Sequence, residues 1–217
     1  MAMVVGRKLL REYPNQDYTQ DFSRDLTGVP EDVGFNNSLS APRPDFVEGL
    51  RWMEFDPFPV HHFLSAAILY KDDINSMVLP HIAGEWKRSG KSMEEAKQQS
   101  AYDGAALVYA RNQALSFLGK SDPLGHAEVT TFTTDGGTLN FFSHYAAPNE
   151  DKVLEYHQFP LASYNMKKYK EFKEGRRHLR NAQDHALQES CNLRDQLKKH
   201  WERHRTAMRA GPVSDNL

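Results

Sequence analysis

The sequence contains a single cysteine, Cys191, and no long apolar run in its 217 residues. One cysteine excludes an intrachain disulfide and a zinc site built from several thiolates. No segment approaches eighteen consecutive apolar residues, which excludes a transmembrane helix. The N-terminal segment MAMVVGRKLLREY has a basic pair within its short apolar run and lacks the small-residue cleavage site of a signal peptide. We therefore expect an intracellular protein, in the cytoplasm or the nucleus, with no membrane partner.

Charge is distributed unevenly along the chain, although the formal net charge is only −2. Twelve basic and six acidic side chains lie between Lys167 and Met208, so this segment carries +6 and the remainder carries −8. A basic arm on an acidic body suits a phosphate-rich partner. It suits equally a solvated helix that docks on its own body. Both interpretations stay open for Arg176, Arg177 and Arg180.

The pattern of apolar and turn-forming residues predicts one mixed α/β domain. An apolar share of 39% and an aromatic share of 11% are enough for a core. The turn Asp135-Gly136-Gly137 predicts a hairpin between two alternating strands. The predicted elements are a short helix over 1–13, an irregular connector over 14–43, a strand over 43–47, a covering loop over 52–58, a helix over 61–71, strands over 77–85, 128–134, 138–145 and 153–161, the last ended by Pro160, and two long helices over 92–119 and 168–208.

The two long helices have the clearest end and packing signals. Ser92 and Glu95 form a capping box at the start of the first helix, and Gly119 suits the left-handed conformation in which helices often end. Small residues around Gly104 would let this helix lie close against a sheet. The second helix has one apolar stripe, which normally marks a core contact or a partner helix. The stripe consists of Tyr169, Phe172, Leu179, Ala182, Ala186, Leu193, Leu197 and Trp201.

The residues that most suggest chemistry stand at the end of the strand over 77–85. Because side chains alternate between the two faces of a strand, Glu85 and Lys87 share one face and Trp86 takes the other. A carboxylate and an ammonium held together could bind a divalent metal and polarise a phosphate. As a surface ion pair, the same two side chains would stabilise the fold by at most about 1 kcal/mol. However, an acid that follows the apolar run LPHIAG is drawn into the sheet interior, where a carboxylate needs a partner.

Three motifs, in this order along the chain, resemble the PD-(D/E)XK nuclease superfamily. They are Pro44-Asp45, Glu85-x-Lys87, and Gln98-Gln99 with Tyr102 on the following helix. The segments PRPD, GEWK and EAKQQSAYDGAALV are similar to nuclease-like domains of unknown role from filamentous fungi, over roughly residues 40–118. The resemblance implies a restriction-endonuclease-like core, in which a small mixed sheet is flanked by helices. The chain would then divide into a nuclease-like domain over 1–166, a basic helix over 167–208 that packs on or extends from it, and a flexible tail over 209–217.

The resemblance also implies a role for each matched side chain. Asp45 and Glu85 would ligate Mg²⁺ or Mn²⁺, and Lys87 would assist the attacking water or the phosphate. Gln98 and Tyr102 have the i, i+4 spacing that the family uses on this helix, with Gln99 as the alternative. The catalytic candidates are therefore Asp45, Glu85, Lys87, Gln98, Gln99 and Tyr102, and the nucleic-acid-binding candidates are Lys87, Arg88, Arg176, Arg177 and Arg180.

The sequence departs from the family pattern in two places. The interval between Asp45 and Glu85 is long for a hairpin, so the helix predicted over 61–71 must be an insertion between their strands. No motif matches the accessory acid that the family carries on its first helix, and Glu12 is the candidate for it.

Three functions remain open at this point. The leading hypothesis is a metal-dependent nuclease that acts on phosphodiester bonds of DNA, or of RNA as the second choice. An alternative is a catalytically degenerate nuclease fold that binds nucleic acid or protein as an effector-like module. A third hypothesis is self-association through the apolar stripe of the C-terminal helix.

Overall fold

A computed structural model describes residues 9–14, 17–71, 73–88, 92–123 and 125–209. A six-stranded mixed sheet lies between two long helices, so the predicted mixed α/β class is confirmed. Within these ranges, no helix is both long and apolar enough to cross a membrane. The strands are β1 (Tyr18–Asp21), β2 (Phe46–Arg51), β3 (Met77–Trp86), β4 (Val129–Thr134), β5 (Thr138–Pro148) and β6 (Leu154–Asn165), and the helices are α1 (Val60–Phe63), α2 (Met93–Phe117) and α3 (Tyr169–Arg209).

The strand order in the sheet is β1-β2-β3-β4-β5-β6. The neighbours β3 and β4 run parallel, whereas the other described neighbours are antiparallel. A parallel pair needs a crossover connection, and α2 supplies it. The C-terminal ends of β3 and β4 consequently lie side by side, and Glu85 is paired with Thr133 there. The amide of Lys87 donates to the carbonyl oxygen of Thr134 at 2.8 Å and extends this pairing by one residue.

The two long helices cover opposite faces of the sheet. Ala83 of β3 packs in one cluster with Leu107 of α2, whereas its neighbour Ile82 packs in another with Leu179 of α3. Because side chains alternate along a strand, the end of β3 is buried on both faces. From Ile82 onward, odd-numbered side chains of β3 face α2 and even-numbered side chains face α3.

Glycines allow two of the closest contacts on the sheet. A Cβ atom at Gly104 of α2 would stand 2.1 Å from Nδ1 of His144, so only glycine lets the helix pass over this ring. A Cβ atom at Gly84 of β3 would likewise stand 2.3 Å from the ring of Phe132. The sequence-based interpretation of Gly104 as a close-packing residue is confirmed.

The C-terminal helix α3 packs on the sheet along its apolar stripe. Leu179, Ala186, Leu193 and Leu197 are buried in the clusters that cover this face. Tyr169, at the start of the stripe, is instead 77% exposed. The chain's own sheet therefore covers the central stripe positions, and self-association through α3 would need other residues of the helix.

Several predicted boundaries differ from the structure. The helix predicted over 61–71 is reduced to α1 and a 3₁₀ turn over Ser65–Ala67. Strand β6 does not end at Pro160 but runs on to Asn165, since an edge strand tolerates a missing amide donor. The four-residue edge strand β1 lies within the predicted connector. The helix predicted over 1–13 and the tail over 209–217 fall largely outside the described residues.

Candidate functional site

Asp45 and Glu85 are joined where β2 begins and β3 ends. Asp45 directly precedes β2, whose first residue, Phe46, pairs with Gly84. The amide of Asp45 donates to Oε1 of Glu85 at 3.3 Å, and the amide of Trp86 donates to Oδ2 of Asp45 at 2.8 Å. These reciprocal bonds join the two predicted acidic residues across adjacent antiparallel strands, each carboxylate accepting from a main-chain amide of the other strand.

The end of β3 distributes its side chains as the sequence predicts. Trp86 packs between the rings of Phe46 and Phe132, with centroid separations of 5.9 and 5.8 Å, on the α3 face. Glu85 points to the opposite face and is only 3% exposed. Burial of a carboxylate is unfavourable unless hydrogen bonds or charge compensate for the lost water. The surroundings of Glu85 on the α2 face therefore decide its role.

A third carboxyl group, which the sequence analysis did not select, lies next to Glu85. Asp103 of α2 is 2% exposed, and its carboxyl group faces that of Glu85 within hydrogen-bonding range. Among the described residues, Oδ2 of Asp103 has no hydrogen-bond partner. Two carboxylates offer only acceptors to each other, so a bond between them requires a proton.

The electrostatics of this pair favour retention of such a proton. Burial, followed by the charge of Asp45, raises the pKa of Glu85 above its ordinary value. Burial, followed by the charge of Glu85, raises the pKa of Asp103 well above its ordinary value. Lys87 opposes both shifts. The two groups therefore titrate as one pair, and a divalent cation could replace the proton that they share.

Lys87 reaches α2 on the same side as Glu85. Its Nζ donates to Oε1 of Gln99 and lies 3.7 Å from Oε1 of Glu95. Only 15% of the Lys87 side chain is exposed. Gln99 rather than Gln98 therefore contacts the lysine.

Gln98 and Tyr102 do not join this group. Gln98 is exposed on the helix surface. The hydroxyl of Tyr102 donates to the carbonyl oxygen of Ser40 at 2.7 Å, and its ring packs against Phe35 at 5.9 Å. Tyr102 consequently anchors the connector before β2.

A sequence signal for Asp103 does exist. Glu95, Gln99 and Asp103 are spaced four residues apart and lie along one face of α2. Asp103 is also the one charged residue in the segment SAYDGAALV, in which small and apolar residues predominate. A carboxylate on the face that carries the glutamine was therefore the best candidate for a third acid.

Comparison with known proteins identifies one family, which covers most of the chain. The family described as a domain of unknown function, DUF7924, matches residues 8–193. The chain belongs to the DUF7924 family. No curated protein and no solved structure matches it. The matched range includes Lys87, most of α3 and the carboxyl cluster, which consists of Asp45, Glu85 and Asp103.

The remaining candidates of this DUF7924 chain lie apart from the carboxyl cluster. Arg176, Arg177 and Arg180 belong to α3, which covers the face opposite to Glu85. Arg180 donates to the carbonyl oxygen of Leu9 at 3.4 Å. These arginines therefore do not contribute to the group around Lys87.

Arg88 and Glu12 occupy exposed positions. Arg88 follows Lys87 directly and is exposed at the edge of the candidate site. Glu12 is exposed and lines a different cavity, together with Tyr13, Tyr18 and Gln20. Of these two acids, Asp103 and not Glu12 lies beside Glu85.

Proposed function

We propose that this protein is a Mg²⁺-dependent nuclease that hydrolyses phosphodiester bonds of nucleic acid, with DNA as the preferred substrate. The observation that carries the proposal is the buried pair of carboxyl groups of Glu85 and Asp103, which lies within electrostatic range of Asp45 and Lys87 and in which one oxygen of Asp103 has no hydrogen-bond partner among the described residues. Mn²⁺ would substitute for Mg²⁺, since both accept oxygen ligands. The proposed site of action is inside the cell, in the cytoplasm or the nucleus.

The donor set fits a hard divalent cation. Mg²⁺ takes oxygen ligands and needs only one or two protein carboxylates besides water and substrate phosphate. Asp45 and Glu85 would hold the ion, and Asp103 would add a third oxygen when the proton shared with Glu85 leaves. When bound, Mg²⁺ would lower the pKa of a water molecule and neutralise charge at the phosphate.

Lys87 would act on the substrate directly. Gln99 and Glu95 hold its ammonium group in one orientation, and an ammonium has three N–H donors. The donors that remain would bind a non-bridging phosphate oxygen or orient the attacking water. Gln99 and Glu95 would thus position the lysine without touching the reacting atoms.

The first test compares two glutamates that differ in burial. Glu85→Gln should abolish Mg²⁺-dependent cleavage of supercoiled plasmid, linear duplex, single-stranded DNA and RNA, because the cation loses a ligand. Glu94→Gln, on the exposed first turn of α2, should retain the wild-type rate. Circular dichroism would show that both variants fold. The proposal is wrong if the wild-type protein neither binds a divalent ion nor cleaves any of these substrates, or if Glu85→Gln cleaves normally.

The depth of burial supports a second candidate function. Glu85 and Asp103 are 3% and 2% exposed, so a phosphate has little direct access to them. A degenerate nuclease fold that binds nucleic acid or protein without cleaving it would tolerate this burial. It would bind nucleic acid in a salt-sensitive manner through α3, and the affinity would survive Glu85→Gln but fall in Arg176→Ala and Arg177→Ala. Fluorescence anisotropy at several salt concentrations would distinguish the two functions.

A further inference from the structure

A second group of ligand-type side chains lies at the other end of β4 from Glu85. Glu128 directly precedes β4, and His185 and Glu189 are four residues apart on one face of α3. One ligand atom from each of these three residues lies within 4.8 Å of the other two. His126 adds a second imidazole, because its Nε2 lies 2.5 Å from Oε1 of Glu128.

The two oxygens of Glu128 are shared between the two imidazoles. Oε1 faces His126, and Oε2 lies 2.6 Å from Nε2 of His185. The Glu128 side chain is 12% exposed, whereas the side chains of His126 and His185 are 51% and 49% exposed. The carboxylate therefore forms the floor of the cluster, and the imidazoles reach it from the solvent side.

We infer that Glu128, His185 and Glu189 form a binding site for a divalent transition-metal ion, with Zn²⁺ as the preferred occupant, and that His126 lies beside this site on the other oxygen of Glu128. Zinc sites are commonly four-coordinate and combine imidazole nitrogens with carboxylate oxygens. Imidazole ligands favour Zn²⁺ over Mg²⁺, which prefers oxygen alone. The two ends of β4 would thus differ in ion preference.

The charges around the cluster also favour a cation. Arg111 lies 3.7 Å from Glu189, but its guanidinium group makes two bonds to Asp122, at 2.7 and 2.8 Å. Asp122 thus neutralises the nearby arginine, and the carboxylates of Glu128 and Glu189 remain for the ion. His81 stays outside the ligand set because both of its ring nitrogens are engaged.

The bonds of His81 define its tautomer. The hydroxyl of Ser190 donates to the carbonyl oxygen of Leu79 at 3.1 Å, so it accepts from Nδ1 of His81 at 3.0 Å. Nε2 of His81 then accepts from Nη1 of Arg111 at 3.0 Å. Burial, followed by the charge of Arg111, lowers the pKa of His81 to about 3, and the ring is neutral. His81 therefore orients Arg111 and leaves the ion to the three proposed ligands.

An entry path and a structural consequence follow from the location of the cluster. A cavity of about 450 Å³ adjoins it, with Arg111, Asp122, His126 and Glu128 in its wall. The ion would join the start of β4 to α3, between residues that are 57 positions apart in sequence. Because the unfolded chain does not hold these ligands together, the ion should stabilise the folded state.

In the test, EDTA-treated protein is titrated with Zn²⁺. Isothermal titration calorimetry measures the binding, and thermal unfolding measures the change in Tm. We expect one Zn²⁺ per chain and a higher Tm. Mg²⁺ should have no comparable effect in Glu85→Gln protein, in which the proposed Mg²⁺ site has lost a ligand. His185→Gln and Glu128→Gln should each weaken Zn²⁺ binding about tenfold or more. Should either variant fail to fold, Glu189→Gln gives the same test from α3.

Matched controls separate this cluster from other zinc ligands of the chain. His204→Gln changes an exposed imidazole that also lies on α3, four residues after His200, and should keep the wild-type affinity. Cys191→Ser should keep it as well, because the thiol lies outside the cluster. If Zn²⁺ does not bind, or binds His185→Gln as tightly as wild type, the cluster consists of imidazole–carboxylate hydrogen bonds only and the inference is wrong. Loss of binding in His204→Gln alone would also overturn it.

Discussion

The two faces of the sheet each bury a glutamate, and the glutamates have opposite kinds of neighbour. On the α3 face, Glu48 of β2 is fully buried and accepts three hydrogen bonds from neutral donors. Oε1 accepts from the hydroxyl of Tyr18 at 3.3 Å, and Oε2 accepts from the amides of Gln20 and Gln183, each at 2.9 Å. Glu48 thus ties β1 and α3 to the centre of the sheet.

On the α2 face, Glu85 meets acceptors instead. Its main-chain donor, the amide of Asp45, satisfies one oxygen, but the adjacent side chain is the carboxyl group of Asp103. A structural carboxylate collects donors, as Glu48 does. Two carboxyl groups that face each other need a proton or a cation between them, and this difference distinguishes the candidate site from the structural glutamate.

The largest expected effect concerns catalysis and separates the two faces most sharply. Asp103→Asn should lower Mg²⁺-dependent cleavage about 100-fold or more, because removing a metal ligand exceeds the effect of removing its supporting residues. Glu48→Gln should stay near the wild-type rate. Rates measured on the substrate that the wild-type protein cuts best would decide the matter. Equal losses in both variants would mean that the faces do not differ in function.

Stability should show the reverse order in protein without divalent ions. Glu48→Ala leaves three donors without their acceptor and should reduce the free energy of unfolding by about 2–3 kcal/mol. Asp103→Asn replaces a facing acceptor with a donor for Glu85 and should increase it by about 1 kcal/mol. Urea denaturation in EDTA measures both changes. A destabilised Asp103→Asn protein would show that the carboxyl pair is structural.

The pH dependence of Glu48 provides the next comparison. Burial outweighs its hydrogen bonds and raises the pKa of Glu48 to about 7, compared with 4.5 for an ordinary glutamate. The folded state keeps this proton up to about pH 7, whereas the unfolded chain releases it near pH 4.5, so the proton stabilises the folded state. Relative to Glu48→Gln, the wild-type protein should lose up to roughly 3 kcal/mol of stability as the pH rises across this interval.

The difference between the two proteins is the quantity to measure in that experiment. Burial lowers the pKa values of His81 and His144 to about 3, which gives both proteins an opposite dependence on pH. This contribution cancels in the difference, as does that of the Glu85–Asp103 pair. A difference curve that is flat between pH 4.5 and 7 would contradict the assignment of the raised pKa to Glu48.

Local rules predicted much of the α2 face, and long-range contacts determined the rest. Strand alternation placed Glu85, Lys87 and Trp86 correctly, and Ser92 caps α2 by accepting from the amide of Glu95 at 3.3 Å. The choice between Gln98 and Gln99 depends on the rotation of α2 about its axis, where one residue amounts to about 100°. Sequence periodicity does not define that rotation, because small residues surround the helix.

The α3 face was less accessible to sequence reasoning. Glu48 and Gln183 are 135 residues apart, and nothing local marks either one as buried. Strand β1 has only four residues, and the loop over residues 22–45 separates it from its partner β2. Its sequence, YTQD, is mostly polar, and one of its polar side chains, Gln20, donates to Glu48. A polar strand that serves a buried acid lacks the apolar alternation by which strands are recognised.

The smallest expected effect concerns the lysine of the candidate site. Glu95 is 60% exposed and lies 3.7 Å from Nζ of Lys87, so Glu95→Gln should change the free energy of unfolding by no more than about 0.5 kcal/mol. Gln99→Ala removes the closer acceptor and should leave stability similar while it weakens cleavage, because the ammonium group loses its orientation. A rise in KM without a change in kcat would assign Lys87 to binding of the phosphate, and a fall in kcat alone would assign it to the chemical step. If Glu95→Gln impairs cleavage more than Gln99→Ala does, the exposed carboxylate rather than the amide positions Lys87.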